Sequence, residues 1–308
     1  MPSIDVSIVT WNSGSVIRTA LDSVFAQTQK PDRVFVVDNA SVDNTREIIA
    51  NFPQCILIQQ DKNIGFAAAH NIVINQSTAD YVLVMNPDVI LQPEYFENIF
   101  EFANTAVKGA AFVGTVNRQD GSIDTTGLSV AAGRLVKDIT NRFIEPTKVF
   151  GISGALALYR RAALQDVVVD GSVFNPILFA YKEDVELAWR LQWAGWQAYS
   201  VPGPIAQHNR VMKQETRRNQ RSVDRRFLSY RNHLLLYPLV ESWATLLPNL
   251  WAIIPAEIFR FLYLLFTDPQ VTIRALAAAA KMWHAARTFA HRERRAVKAA
   301  QVRAAFNS

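Results

Sequence analysis

The segment VLVMNPDVIL, residues 82–91, sets one carboxylate, Asp88, where an apolar strand should be ending. An aspartate there either turns the chain or holds a divalent cation and, through it, a phosphate, because hard cations take oxygen ligands. Three other polar clusters follow apolar runs in the same way: Thr10-Trp11-Asn12, Asp38-Asn39-Ala40-Ser41 and Asp61-Lys62-Asn63-Ile64-Gly65. Capping explains any one of them, since strand-to-helix turns favour Asn, Asp and Ser. Four on one rim exceed what capping needs. Further on, KEDVELAWR gathers Glu183, Asp184 and Glu186 at the start of a helical pattern. Acids suit the positive end of a helix dipole, and a carboxylate held there also has the chemistry to take a proton.

The elements that position these residues follow from periodicity. Residues 5–10, 33–38, 55–60, 80–86 and 110–116 are short apolar runs that read as strands. Residues 15–27, a capped segment from 41 onward and the small-residue stretch 65–76 read as the helices between them, and Pro93 opens another at a favoured first-turn position. Nearly continuous apolar strands alternating with helices predict a mostly parallel α/β sheet covered on both faces. Ligands of open α/β sheets bind beyond the carboxyl ends of the strands, where the four clusters fall. Residues 117–150 are less regular and read as an insertion. A second αβ passage follows over 154–167, 183–196 and 197–202, with His208 in the loop beyond. Gly65 at a helix start would let a ligand approach the backbone. His70 reads as a helix-face histidine with a structural partner, Asn71 as a bridge from helix to strand, Glu186 as solvent-facing or capping, and Trp189 and Trp196 as core. Neither GxGxxG nor GxxxxGK[ST] is present, which disfavours a dinucleotide fold and excludes a P-loop.

Half of the 308 residues are apolar, enough for one large domain with an appendage. A single cysteine, Cys55, excludes a disulfide framework and a cysteine metal cluster. The first residues lead directly into a strand, so no signal peptide is expected. The net charge of +5 is unevenly spread. Residues 1–209 carry 15 Lys+Arg against 21 Asp+Glu, and residues 210–308 carry 17 against 6. A basic tail suits nucleic acid or an anionic membrane. The stretch 234–266, LLLYPLVESWATLLPNLWAIIPAEIFRFLYLLF, is too apolar for a nucleic-acid arm. Glu241, Pro248, Pro255, Glu257 and Arg260 interrupt it, so helices lying on an anionic membrane surface are expected rather than a clean span of about 18–20 residues. The alternatives are a helical hairpin packed on the rest of the chain and a contact between copies in a homo-oligomer.

SIVTWNS, VVDNASVDNT, NIGFAAAHN, MNPDV, GISGA, YKEDVELAWRLQWAGW and QHN occur in this order over residues 4–208. Together they resemble glycosyltransferase family 2 enzymes of the GT-A fold, and among these the bacterial rhamnosyltransferase-type members. The resemblance implies a catalytic domain over 1–209, with a nucleotide-sugar half (1–116) and an acceptor half (117–209), followed by a basic, amphipathic helical region (210–308). It places the pyrimidine N–H on Asp38 and the nucleotide against Thr10, Trp11, Asn12, Asn39, Ser41, Asn63, Gly65, Phe66 and Asn86. It replaces the first acid of the family's Asp-x-Asp by Asn86 and leaves Asp88 as the cation ligand, completed by His208, for Mg2+ or Mn2+. It makes Asp184 the base, with Glu183 organising the loop, and Gly154, Ala155, Arg190 and Trp193 neighbours of the sugars.

The implied activity is inverting transfer of a sugar from a nucleotide-diphosphate donor, L-rhamnose from dTDP-L-rhamnose foremost, to a glycan on a polyprenyl-linked acceptor. The expected location is cytoplasmic, peripheral on the inner face of the cell membrane. UDP-hexose or UDP-GlcNAc transfer is the alternative within the fold. A binding scaffold with a degenerate site is the alternative outside catalysis, and a nucleotidyltransferase ranks last, because TWNSGSVIR lacks a glycine-rich cationic loop for a triphosphate.

Overall fold

The computed structural model describes residues 2–209, 220–292 and 295–306. The start of the basic tail, 210–219, lies outside the described residues. Four apolar runs form the parallel part of one sheet: β1 (Ile4–Thr10), β2 (Arg33–Asp38), β3 (Cys55–Gln59) and β4 (Tyr81–Met85), connected through α1 (Ile17–Phe25), α2 (Thr45–Ile49) and α3 (Gly65–Gln76). Both faces of β1 are covered. Ile4, Val6 and Ile8 enter the main core, while Asp5 and Ser7 are buried opposite. Buried polar groups need partners. Asp5 pairs with Arg33 and accepts from Ser77 Oγ at 2.7 Å, and Ser7 Oγ lies 2.7 Å from Nδ1 of His70. Burial pushes the His70 imidazole down to about 3, so it is neutral and structural.

The chain continues through β5 (Val89–Leu91), α4 (Tyr95–Ala103), β6 (Gly109–Asn117), β7 (Ile123–Thr125), β8 (Leu128–Val130), β9 (Val136–Asp138), β10 (Thr147–Val149), β11 (Leu156–Arg160), α5 (Arg161–Asp166), α6 (Glu183–Trp193) and β12 (Gln197–His208). The sheet order is β10-β12-β6-β11-β4-β1-β2-β3, with β5 added on β12 and β7 on β6. It is parallel over β3-β2-β1-β4 and mixed beyond. β11 is antiparallel to both β4 and β6, because it starts on the rim where the 117–150 excursion ends and runs back down. Pro93 precedes the first turn of α4 instead of occupying it. His208 is not in a loop. β12 carries Pro202, Gly203 and Pro204 through a register shift between Ser200 and Ile205, then pairs His208 with Val89.

The C-terminal region comprises α7 (Gln220–Val240), α8 (Trp243–Leu246), α9 (Leu250–Thr267), α10 (Pro269–Ala290) and α11 (Ala299–Ala304). Leu235, Leu239 and Val240 of α7, Ala286 and Phe289 of α10, and Phe306 share a core with Phe150, Trp189 and Trp193. At about 1.5–3 kcal/mol for each fully buried large apolar side chain, that core makes α7 and α10 integral to the fold. Of the stretch 234–266, for which a packed hairpin was the alternative to a membrane surface, only the end of α7 joins this core. The segment Trp243–Thr267 differs. It is 25 residues, long and apolar enough by length and composition to cross a membrane, and an 18-residue window within it has mean hydropathy 1.6 and is 6% buried. Pro248 sits in the 3-10 turn between α8 and α9, and Pro255 lies within α9.

Gly65 has φ +87°, and a Cβ there would come 2.6 Å from the carbonyl oxygen of Phe179. Gly65→Ala should cost about 2 kcal/mol or more. At roughly 2–4 °C per kcal/mol, calorimetry should show Tm falling by about 4–8 °C. An unchanged Tm would mean that Phe179 does not pack there.

Candidate active site

The strand directions bring the ends of β4 and β12, the start of β11 and the start of α6 to one rim, where a cleft of about 720 Å3 opens. Ten of the residues singled out in the sequence line it: Trp11, Asn12, Phe66, Asn86, Asp88, Gly154, Ala155, Glu183, Asp184 and His208. Thr10, Asp38, Asn39, Ser41, Asn63, Gly65, Arg190 and Trp193 do not.

Asp88 Oδ1 lies 3.2 Å from Nε2 of His208. The other ring nitrogen, Nδ1, is 2.8 Å from Oδ2 of Asp124, which is fully buried and also receives Nε–H of Arg118 at 3.0 Å. β7 and β12 flank β6, and this pairing brings Asp124 beside His208. Burial opposes protonation of His208, but the Asp88 and Asp124 carboxylates outweigh it and hold the imidazole above its ordinary value. Asp124 was not recognised in the sequence. The 117–150 excursion holds four acids, and no spacing sets this one apart. Among the described residues no cluster of three or more metal-ligating side chains occurs. The donor set nevertheless fits a divalent cation that takes most of its shell from phosphate and water: one carboxylate, and one imidazole oriented by a second carboxylate.

The acids of α6 are held differently from one another. Asp184 Oδ2 accepts the Gly154 N–H at 3.0 Å, and a Cβ on Gly154 would touch Phe66, so the glycine lets the two walls meet. Glu183 is buried with Oε2 lacking a hydrogen-bond partner. Burial, then the Asp184 charge, push its carboxyl up to about 8. Just before this pair, Phe179, Tyr181 and Lys182 all have positive φ. Non-glycine residues adopt this conformation only where surroundings impose it. Here α7 imposes it. Asn232 Nδ2 donates to the carbonyls of Leu178, Ala180 and Tyr181 at 2.6–2.9 Å, and Arg231 donates to that of Leu178.

On the side of β1 to β3, several expected ligand contacts are contacts between loops. Asn12 accepts the Val42 N–H and donates its own N–H to Ser41 Oγ, both at 2.8 Å. Asn39 bonds the backbone of Ile64 and Gly65, and Asn63 Oδ1 accepts the Gly65 N–H in the turn before α3. Asp38 lies beneath the cleft wall. Its Oδ2 accepts the Ser41 N–H and sits 2.8 Å from Arg46 Nε, whereas its Oδ1 and the nearby Thr10 Oγ1 are buried without a hydrogen-bond partner.

Arg190 and Trp193 are corrected. Arg190 is 1% exposed, clasps Glu186 through two 2.8 Å bonds and donates to the carbonyls of Val167 and Val173. Trp193 donates to the Val240 carbonyl at 2.9 Å. Both belong to the packing beneath α6, and Glu186 is a buried ion-pair partner, not a solvent-facing cap. Asn71 reaches the backbone of Val173 and Phe174, which is not a strand.

The family model described as glycosyl transferase family 2 matches residues 5–168. The chain belongs to glycosyl transferase family 2. A relative in Mycobacterium tuberculosis, N-acetylglucosaminyl-diphospho-decaprenol L-rhamnosyltransferase, is 26% identical over 238 residues, 68% of this chain and 76% of its own length. The sequence resemblance to rhamnosyltransferase-type members of family 2 is thereby borne out. Among solved structures, GalNAc-T7 with UDP, GalNAc and Mn2+ aligns at TM-score 0.60 and 13% identity, covering 78% of this chain and 48% of that one. The mannosyltransferase PcManGT from Pyrobaculum calidifontis, in complex with GDP-Man and Mn2+, aligns at TM-score 0.57 and 18% identity over 99% of this chain and 86% of its own. The fold is of the GT-A type, and the chain is a glycosyltransferase.

In this family 2 glycosyltransferase the acid pair has a measurable signature. An unfolded glutamate titrates near 4.5 and Glu183 in the fold at about 8, so the folded state holds the extra proton. Stability from this group is present below about 4.5 and is lost as pH rises toward 8. Glu183→Gln should therefore raise Tm relative to the parent at pH 8–9 (roughly the upper end of that window) and change it little near pH 4.5. Equal shifts at both pH values would show that Glu183 is not held neutral.

Proposed function

We propose that the protein is an inverting glycosyltransferase that moves a sugar, L-rhamnose foremost, from a nucleoside-diphosphate donor to a glycan on a polyprenyl-linked carrier. The observation that carries the reading is the meeting of the Asp184 carboxylate and the Asp88–His208 pair in one cleft. The rhamnosyl donor and the lipid-linked acceptor are supported by the activity for which the mycobacterial relative is named. Residues 1–116 would serve the donor and 117–209 the acceptor, with α7 bracing the acid pair. The exposed apolar face of α9 would keep the enzyme peripheral on the cytoplasmic side of the membrane, where nucleotide sugars are made.

In this reading Asp184, oriented by Gly154, takes the proton of the acceptor hydroxyl as that oxygen attacks the anomeric carbon. The bond from this carbon to the diphosphate breaks, the electron pair leaves with the phosphate oxygen, and configuration inverts. A neutral Glu183 keeps a second negative charge away from the base. Asp88 and His208 would hold Mg2+ or Mn2+, which when bound neutralises the diphosphate; Asp124 fixes the His208 ring. Trp11 and Asn12 line the cleft and would meet the base, whereas Asp38 and Thr10, buried outside the lining, would reach its polar edge only if that wall shifted.

Binding of dTDP, UDP and GDP with and without Mn2+ tests this directly. Binding should strengthen with metal, and dTDP-rhamnose should be hydrolysed slowly. Asp88→Ala should remove the metal effect, and a panel with no metal-linked binding would support a scaffold instead. Asp124→Asn should raise the Mn2+ concentration needed for half-maximal nucleotide binding by about tenfold or more; an unchanged metal titration would take Asp124 and His208 out of the site. Asp184→Asn should abolish transfer while leaving nucleotide affinity intact, and lost affinity would remove Asp184 from the role of base.

A further inference from the structure

Beyond Lys182 a second cavity of about 360 Å3 opens between α7, α9 and the turn leading into β9. Val136, Lys182, Arg225 and Ser229 line both cavities and form the wall they share. The second cavity is lined by Lys182 and four arginines and by no Asp or Glu. Arg134, Arg226 and Arg260 are already ion-paired, with Glu241, Asp268 and Glu257. Lys182 and Arg225 form no salt bridge among the described residues, although Lys182 stands beside the Glu183 carboxyl. Arg225 instead lies 5.8 Å from the centre of the Tyr181 ring. Two cations that form no salt bridge among the described residues thus stand on the seam between the cavities.

The outer wall of this cavity is apolar. Tyr263 and Leu264 line it, and the surface continues along α9 through Phe259, Leu262 and Phe266, all exposed. α9 is inside out for a helix in water. Its Glu257 and Arg260 turn inward, where Glu257 meets His233 at 2.8 Å and Tyr237 at 2.9 Å on α7, while its large apolar side chains face outward. A charged slot leading onto an apolar ridge matches a molecule with an anionic head and a hydrocarbon tail.

We propose that this second cavity binds the diphosphate of a polyisoprenoid-linked acceptor. Lys182 and Arg225 hold the diphosphate, and the isoprenoid chain lies along the outer face of α9. This rests on the lipid-linked acceptor reading above and assigns it a site. The donor diphosphate is expected at Asp88 and His208, a carboxylate–imidazole pair suited to binding through a cation. The second cavity offers no carboxylate, so an anion there is met directly by the basic side chains. Lys182 is two residues from Asp184, a span of at most roughly 7 Å along the chain. Both residues line the first cleft, so the sugar presented to Asp184 is one close to the diphosphate.

The test uses the full chain in detergent micelles and two probes, dTDP with Mn2+ and polyprenyl diphosphates of increasing chain length. The Lys182→Ala/Arg225→Ala double variant should bind the polyprenyl diphosphates about tenfold or more weaker and keep dTDP affinity within about twofold. Phe259→Ser/Tyr263→Ser should flatten the gain in affinity with chain length. These side chains are partly or largely exposed, and a parental Tm in each variant will confirm folding. Loss of dTDP affinity in the double variant would assign the two cations to the donor and overturn the proposal. Unchanged lipid binding in both variants would overturn the cavity assignment alone. A parent protein that binds dTDP but no polyprenyl diphosphate would overturn the lipid-linked reading together with this site.

Discussion

β11 runs against both of its neighbours, and the site depends on that. A parallel sheet alone would place Asp38 and the Asn86–Asp88 turn on the rim and nothing facing them. Because β11 is inserted between β4 and β6 in the opposite sense, its first residues, not its last, reach the rim. The Asn86 N–H then donates to the Ala155 carbonyl at 2.9 Å, and Gly154 next to it donates to Asp184. One backbone hydrogen bond and one from a backbone N–H to the Asp184 carboxylate thus tie the end of β4 to the start of α6. Any shift in the β11 register would separate them together.

Charge is the second constraint. Asp88, Asp138, Glu183 and Asp184 all line the cleft. Carboxylates this crowded do not all ionise at neutral pH at low cost. The fold meets the problem locally. Glu183 is buried and neutralised, His208 lies between Asp88 and Asp124, and Gly154 supplies a backbone donor to Asp184. Lys137, Lys182 and Arg225 line the same cleft, and Lys182 stands directly beside the acid pair.

Much of the scaffold was legible because its signals are local. β2 over Arg33–Asp38 and α3 over Gly65–Gln76 follow from apolar run length and small-residue spacing. β12 was cut short because Pro202, Gly203 and Pro204 read as the end of a strand. In the fold a bulge absorbs them, and only the pairing partners β6 and β5 show that the strand resumes. Arg190 and Trp193 were misplaced by counting turns without angle. At about 100° per residue, Arg190 lies roughly 240° and Trp193 roughly 180° around the helix from Asp184, so neither shares its face. Arg190 instead shares the face of Glu183, the one that turns inward. Asp124 was illegible for a different reason. Its meaning comes from a partner 84 residues away that only the sheet brings near.

The C-terminal helices show why composition alone left a membrane surface, a packed hairpin and a contact between copies all open. The tail is basic and apolar throughout, which suits all three. The structure divides these properties between helices. α7 and α10 bury their apolar faces with Trp189 and Trp193, and Asn232 of α7 spends its amide on the strained 178–181 turn, so this pair belongs to the machinery of the acid pair. α9 has Ile253 as its one buried residue among the described residues and leaves Trp251, Ile258, Phe259 and Phe266 outside. Folding one part of the tail against α6 therefore fixes where the other part must emerge. It emerges beside Lys182 and Arg225 on the cleft wall, so the same packing that strains the turn before Glu183 also sets the apolar ridge within reach of the cleft.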